Sequence, residues 1–203
     1  MSAPTLRAVA ETPYELRGTG SPEGVVAAPP GTYYTDQLGT AGMWRWLKIA
    51  GTGTTGWTIV FGDTGWRALV RWAQGQVTFG TMPAGLEPGH SIYEGGIFMR
   101  RKLDRVEMSI VAARMTADAV EFTSPVGFRG STTGMPYPVV PLIARAGAAA
   151  SAIVAASVEV GVSVVRIRSI RDSYLPAQTT LYGAEASWST DAPPPTVLPG
   201  APK

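Results

Sequence analysis

The side chains that could do chemistry in this chain are few and widely spaced. Asp63-Thr64-Gly65 spells the tripeptide in which two aspartates, one from each of two copies, share a proton and activate water. That arrangement needs apolar residues directly before the aspartate and a small residue after the glycine. Gly62 and Trp66 occupy those places, so the tripeptide predicts a turn in which Asp63 accepts backbone hydrogen bonds. Gly51-x-Gly53-x-x-Gly56 fits the dinucleotide-binding fingerprint, which needs a helix N-terminus after it to meet the pyrophosphate. Trp57-Thr58-Ile59-Val60-Phe61 follows instead, a strand-like run, so the glycines predict a turn and no cofactor is expected. His90 is the single histidine, so a histidine cluster for zinc cannot form within one chain; three copies of His90 on a symmetry axis are the remaining route, and no metal is expected. Asp104, Glu107, Asp118, Glu121 and Glu159 could pair across a groove as glycosidase carboxylates. Sequence fixes no separation between them, so polysaccharide hydrolysis stands as the runner-up to a non-enzymatic reading.

Composition describes the scaffold that must hold these residues. The chain has 203 residues, 45% of them hydrophobic and only 16% charged, with 24 glycines and 17 prolines. Many short strands joined by turns have this profile, and the length suffices for one good core or for one domain with a small appendage. The net charge of +2 arises from scattered residues, so no basic stripe for a phosphate backbone is present and nucleic acid is not an expected partner. The absence of cysteine excludes disulfides, thiol catalysis and cysteine-based metal sites. The first residues, with Pro4, Glu11 and Pro13, lack the apolar run of a secretory signal. The most apolar stretch, Ala146 to Val158, is too short to span a bilayer and is expected as buried strand, so no membrane insertion is expected.

Four parts are expected along the chain: an N-terminal arm over residues 1–20, a Trp/Gly-rich module over 21–67, a β-sandwich over 68–191 and an extended proline-rich tail over 192–203. In the module, Met43–Lys48 and Trp57–Phe61 read as a hairpin around the glycine-rich turn. Period-two alternation puts Met43, Arg45 and Leu47 on one face and Trp44, Trp46 and Lys48 on the other. A module of this size is expected to be too small to bury Trp44, Trp46, Trp57 and Trp66 unaided, so these rings are expected to pack against other copies or against the following domain. Beyond it, β-prone runs are expected at 69–72, 76–79, 97–102, 106–111, 119–123, 139–144, 152–160, 162–169 and 181–189. Eight or nine short strands fit a jelly roll or related sandwich, and no capped helix stands out. Arg100 to Arg105 reads as a hairpin tip whose charges are solvated, with a patch for acidic wall polymers as the alternative.

The blocks SPEGVVAAPPGTYYTD (21–36), GMWRWLKIAGTGTTGW (42–57) and GDTGWR (62–67) together resemble a module of bacteriophage tail fibres and minor tail proteins. Leu181-Tyr182-Gly183, Ala186–Asp191, Pro195 and Leu198-Pro199-Gly200 are similar to the ending of minor tail proteins of phages infecting actinobacteria, and Pro125–Gly130 resembles their mid-domain loop. The resemblance covers about residues 18–67, 125–130 and 181–200, and its first stretch is the more specific. It implies a homotrimeric virion protein of the tail fibre or tip, made in the host cytoplasm. The module would act as a neck packed through Trp44, Trp46, Trp57 and Trp66, and the arm would fasten it to other tail or baseplate proteins. The sandwich would attach to a host cell-surface glycan or protein by avidity, without catalysis. Aromatic rings paired with hydrogen-bonding side chains suit sugars, so Trp72, Tyr93, Tyr137, Tyr174 and Trp188 are the candidate receptor contacts, each with core or interface packing as its alternative. A purely architectural, fibre-joining role is the close rival.

Overall fold

The computed structural model describes residues 15–37, 42–89, 94–117, 119–130, 139–146, 152–161, 163–169, 180–181, 184–195 and 197–203. The described chain is all-β, with no helix and no sheet closed into a barrel. It divides into two compact units, Met1–Gly39 with Met43–Phe61, and Thr40–Gly42 with Gly62–Lys203.

The first unit contains β1 (Glu15–Gly18), β2 (Tyr33–Asp36), β3 (Met43–Lys48) and the start of β4 (Trp57–Asp63). β1 runs parallel to β2, β2 pairs antiparallel with β3 through Tyr34 and Trp46, and β4 follows β3 as the expected hairpin. The alternation in β3 is realised: Trp44, Trp46 and Lys48 are buried and Met43 is exposed. Trp44, Trp46 and Trp57 form one core with Tyr34 and Ala28, flanked by Leu16, Val26 and Ile59. Tyr34 meets Trp46 and Trp57 edge-on at centroid distances of 5.7 and 6.0 Å, the geometry aromatic quadrupoles favour. The cover that sequence reasoning sought for these three rings outside the module is thus supplied inside it. Residues 21–32 provide much of it: Trp57 Nε1 donates to Val26 O (2.9 Å), and the Glu23 carboxylate accepts from the Trp57 and Gly56 amides.

The glycine-rich turn after β3 is stapled by Lys48. Its ammonium donates to the carbonyls of Gly53 (2.7 Å) and Thr55, and it lies 5.4 Å from the Trp57 ring centroid. A strand follows the turn, as expected, so the dinucleotide-fingerprint spacing marks a hairpin connection.

The second unit carries β5 (Arg67–Ala73), β6 (Gln76–Phe79), β7 (Leu86–Pro88), β8 (Gly95–Lys102), β9 (Arg105–Val111), β10 (Ala113–Met115), β11 (Ala119–Thr123), β12 (Val139–Ala146), β13 (Ala152–Val160), β14 (Val164–Ser169), β15 (Thr180–Leu181), β16 (Ala184–Ser189) and β17 (Ala201–Pro202). One antiparallel sheet runs β16-β9-β8-β5, with β6 and β17 sharing the far edge of β5. A second runs β11-β14-β13-β12, three hairpin-connected strands with a fourth laid beside the last, which is a Greek key. A small third sheet runs β15-β10-β7.

One core unites the three sheets. Val70, Trp72, Ile97, Met99, Val106, Met108, Ile110 and Trp188 from the first meet Val120, Val158, Val160, Val165 and Ile167 from the second, with Leu86, Ala113 and Met115 from the third and Phe128 from a loop. Fully burying a side chain of this size contributes about 1.5–3 kcal/mol, which makes this shared core the main source of the unit's stability. Gly95 is fixed by it, since a Cβ there would fall inside the Trp72 indole. The expected strand runs are all found, except that 181–189 is two strands, β15 and β16. The five strands not anticipated, β1, β2, β7, β10 and β17, are all four residues or shorter.

Candidate functional site

The site is built from the Asp63-Thr64-Gly65 turn outward. Asp63 accepts the Gly65 amide at 2.8 Å and takes both Nε (2.8 Å) and Nη2 of Arg100, a fork that fits a carboxylate. Burial pushes the Asp63 carboxyl up. The Arg100 and Gly65 hydrogen bonds, with the charges of Arg100 and Lys102, outweigh that and hold it below the usual carboxylate range. Thr64 is clamped on both sides: its amide donates to Arg101 O (3.0 Å) and its hydroxyl accepts from the Arg101 amide (2.9 Å). The expected turn is therefore present, and both of its polar side chains are committed to β8. Its consequence is the position of the next residue, Trp66.

Arg101 corrects the expectation of a solvated tip. Leu103 and Asp104 do form the turn between β8 and β9, but Arg101 points inward and is only 2% exposed. Its guanidinium donates to the carbonyls of Leu103 (2.8 Å), Gly127 (2.6 Å), Pro193 (2.8 Å) and Ala192 (2.7 Å). Desolvation lowers its pKa to about 10, partly opposed by Asp104. Alternation along β8 decides this, because Ile97, Met99 and Arg101 share the core face. Arg100 is partly withdrawn from solvent through its ion pair with Asp63, while Asp104 and Arg105 stay exposed at the turn as expected.

The opposite face of the β16-β9-β8-β5 sheet is polar and grooved. Arg105 and Glu107 alternate with buried Val106 and Met108, while Glu185 and Ser187 alternate with buried Ala186 and Trp188. β9 and β16 lie in register, with Glu107 opposite Ser187. Together with Trp66 these four polar residues line an open groove of about 310 Å³. Arg105 Nη2 donates to Ser187 Oγ at 2.5 Å, and Lys102 Nζ lies 3.9 Å from Glu107 Oε2. Glu185 is exposed and has no ion pair among the described residues.

A second open groove, about 500 Å³, lies on the same sheet and is lined by residues including Arg71, Thr78, Glu94, Phe98 and Lys203. The Lys203 ammonium sits 4.8 Å from the Phe98 ring centroid and 5.7 Å from that of Trp66, within cation–π range of both. The strap carrying it is held by Arg67, which donates to Pro199 O (3.1 Å) and Gly200 O (3.0 Å), by Arg71 donating to Pro202 O, and by the Lys203 amide donating to Trp66 O.

Of the residues singled out from sequence, Trp72 and Trp188 are core residues, 1% and 3% exposed. Their indole N–H groups donate to Ala112 O and Phe128 O, both at 3.1 Å, so neither ring offers a face to a ligand. Tyr93, Tyr137, Tyr174, His90 and Asp118 lie outside the described residues. Trp44, Trp46 and Trp57 belong to the first unit's core; Trp66 is the one of the four that is only partly buried. Glu121 and Glu159 flank Arg166 in register across β11-β14-β13 and both pair with it. Among the described residues no group of three metal-ligating side chains comes together. Glu185 and Ser187 were not anticipated, and Arg105 was considered only as part of a charged tip. The alternation in RVEMSIV and AEASWS placed each set on one face, but the pairing of β9 with β16, far apart in the chain, is not visible in either segment.

The chain matches no protein-family model, no curated protein and no solved structure.

Proposed function

We propose that this protein is a structural component of a phage tail, at the fibre or tip, and that its second unit attaches to the host cell surface. The sequence resemblance over residues 18–67 supports the setting. The observation that carries attachment is the groove in which Trp66, a partly buried aromatic residue, stands beside Arg105, Glu107, Glu185 and Ser187. An aromatic surface with a few convergent polar groups is what recognition of a cell-wall glycan or a surface protein requires. The Greek key and shared core are consistent with a jelly-roll-like head. A homotrimer is the expected assembly, and the first unit has exposed apolar residues for it: Met43, Ile49, Val60 and Phe61. These take over the neck-packing role that sequence reasoning gave to Trp44, Trp46 and Trp57.

The role is binding rather than hydrolysis. Glycoside hydrolysis needs two carboxyl groups free to flank the scissile bond, and of the two in this groove Glu107 lies beside Lys102. Incubation with cell-wall polysaccharide is expected to release no reducing sugar. The architectural reading has one observation in its favour: Val77 and Phe79 are exposed on β6, a strand that among the described residues pairs only with β5 and could accept another tail protein. Adsorption competition decides between them. Purified protein added to host cells before the phage is expected to reduce adsorption; unchanged adsorption with folded protein favours the architectural role.

A further inference from the structure

The groove on β9 and β16 has a chemistry that narrows its ligand beyond attachment in general. Its aromatic member is fixed from several directions. The residues before Trp66 are tied to β8 through Asp63, Arg100, Thr64 and Arg101, and its carbonyl accepts the Lys203 amide at 3.1 Å. These bonds fix the main chain that carries Trp66, and the Lys203 ammonium lies 5.7 Å from its ring centroid, so the platform is anchored at its backbone beside a cation.

The polar members are dominated by acceptors. Glu107 and Glu185 present carboxylate oxygens, while Arg105 spends one N–H on Ser187 and thereby orients that hydroxyl. Carboxylates accept strong hydrogen bonds from hydroxyl groups, and the C–H face of a sugar ring suits an indole. Arg105, and Lys102 beside Glu107, balance the two carboxylates, so the groove carries no net charge with which to attract a uronate or a phosphate. The volume, about 310 Å³, lies at the lower end of small-ligand clefts, roughly 300–1,000 Å³. It suits one or two sugar rings of a chain that continues into solvent.

We propose that this groove is a subsite for a neutral, hydroxyl-rich sugar unit, with Trp66 as stacking platform, Glu107 and Glu185 as hydroxyl acceptors, and Arg105 as the residue that positions Ser187. The proposal rests on the attachment reading above and names its ligand class.

The test uses the full chain against a printed array of neutral hexose and pentose oligosaccharides, set beside uronic-acid and phosphorylated ones. Calorimetry then follows with the strongest neutral oligosaccharide. Neutral glycans are expected to bind selectively; Trp66→Ala is expected to weaken that binding by about tenfold or more. Glu185→Gln, at an exposed position where folding is not at stake, is expected to weaken it about three- to tenfold. Binding confined to acidic glycans, no glycan binding, or neutral binding indifferent to Glu185→Gln and Trp66→Ala overturns the proposal. Adsorption competition by the unaltered protein separates the two ideas. Blocked adsorption without neutral-glycan binding removes the subsite and leaves attachment standing, whereas neutral binding without any block does the reverse.

Discussion

Arg101 and Asp63 are the polar residues on which the site's geometry depends, and they act in opposite ways. Arg101 is a cation drawn into the core side of β8, where it joins the loops at 127 and 192–193 to the β8–β9 turn through four carbonyls. Truncating it leaves buried acceptors without donors, at about 1–3 kcal/mol for each one that water cannot reach. Arg101→Ala is expected to lower unfolding free energy by about 3–5 kcal/mol in urea titrations, while Arg105→Ala, at the exposed neighbour, stays within about 0.5 kcal/mol. Asp63 is tuned downward by Arg100 and Gly65. A carboxyl whose folded pKa lies below its unfolded value, about 3.9, adds stability that is full above that pH and lost as pH falls through the folded value. Asp63→Asn is therefore expected to cost about 1.5 kcal/mol at pH 7. The gap between the two proteins should close below about pH 4 in denaturation curves measured across pH; a gap independent of pH contradicts the ion-pair account.

At the scale of elements, strands long enough to alternate were legible and short ones were not. MWRWLK and RVEMSIV each carry a period of two that fixes which side faces the core once one residue is assigned. The same period, applied one strand earlier than the tip, places Arg101 inside, but its charge argued for solvent. Only the carbonyls of residues distant in sequence make its burial tolerable. β7, β10 and β17 have two or three residues, too few for a pattern, and are strands because the neighbouring edges accept them. Trp66 sits where two units of the chain meet in sequence, and nothing in GDTGWR tells a neck-packing ring from a groove-lining one. The turn after β3 offers a local test. Lys48→Met keeps the stem beside Trp57 and removes the ammonium that holds Gly53 and Thr55. Those residues are exposed and can rehydrate, so the expected change is about 1 kcal/mol or less in global stability. Exchange of the Ile49 amide, bonded to Gly56 O across that turn, should rise about tenfold.

Across the whole molecule, the first unit buries Trp44, Trp46 and Trp57 in its own core, and the second carries the groove on its polar sheet face. Assembly is expected to run through the apolar residues the first unit leaves exposed, Met43, Ile49, Val60 and Phe61. Sedimentation equilibrium should give three times the 21.3 kDa chain mass, and Val60→Ser with Phe61→Ser should shift the distribution toward single chains. In the proposed trimer three linked grooves would raise effective concentration at a cell surface, so that a weak sugar contact would suffice for attachment. Attachment to the host is tested by adsorption competition. Host cells are preincubated with folded, full-length protein, phage is added, and free phage is counted. A concentration-dependent rise in free phage, lost in Trp66→Ala, is the result this account predicts; free phage unchanged at saturating protein contradicts it.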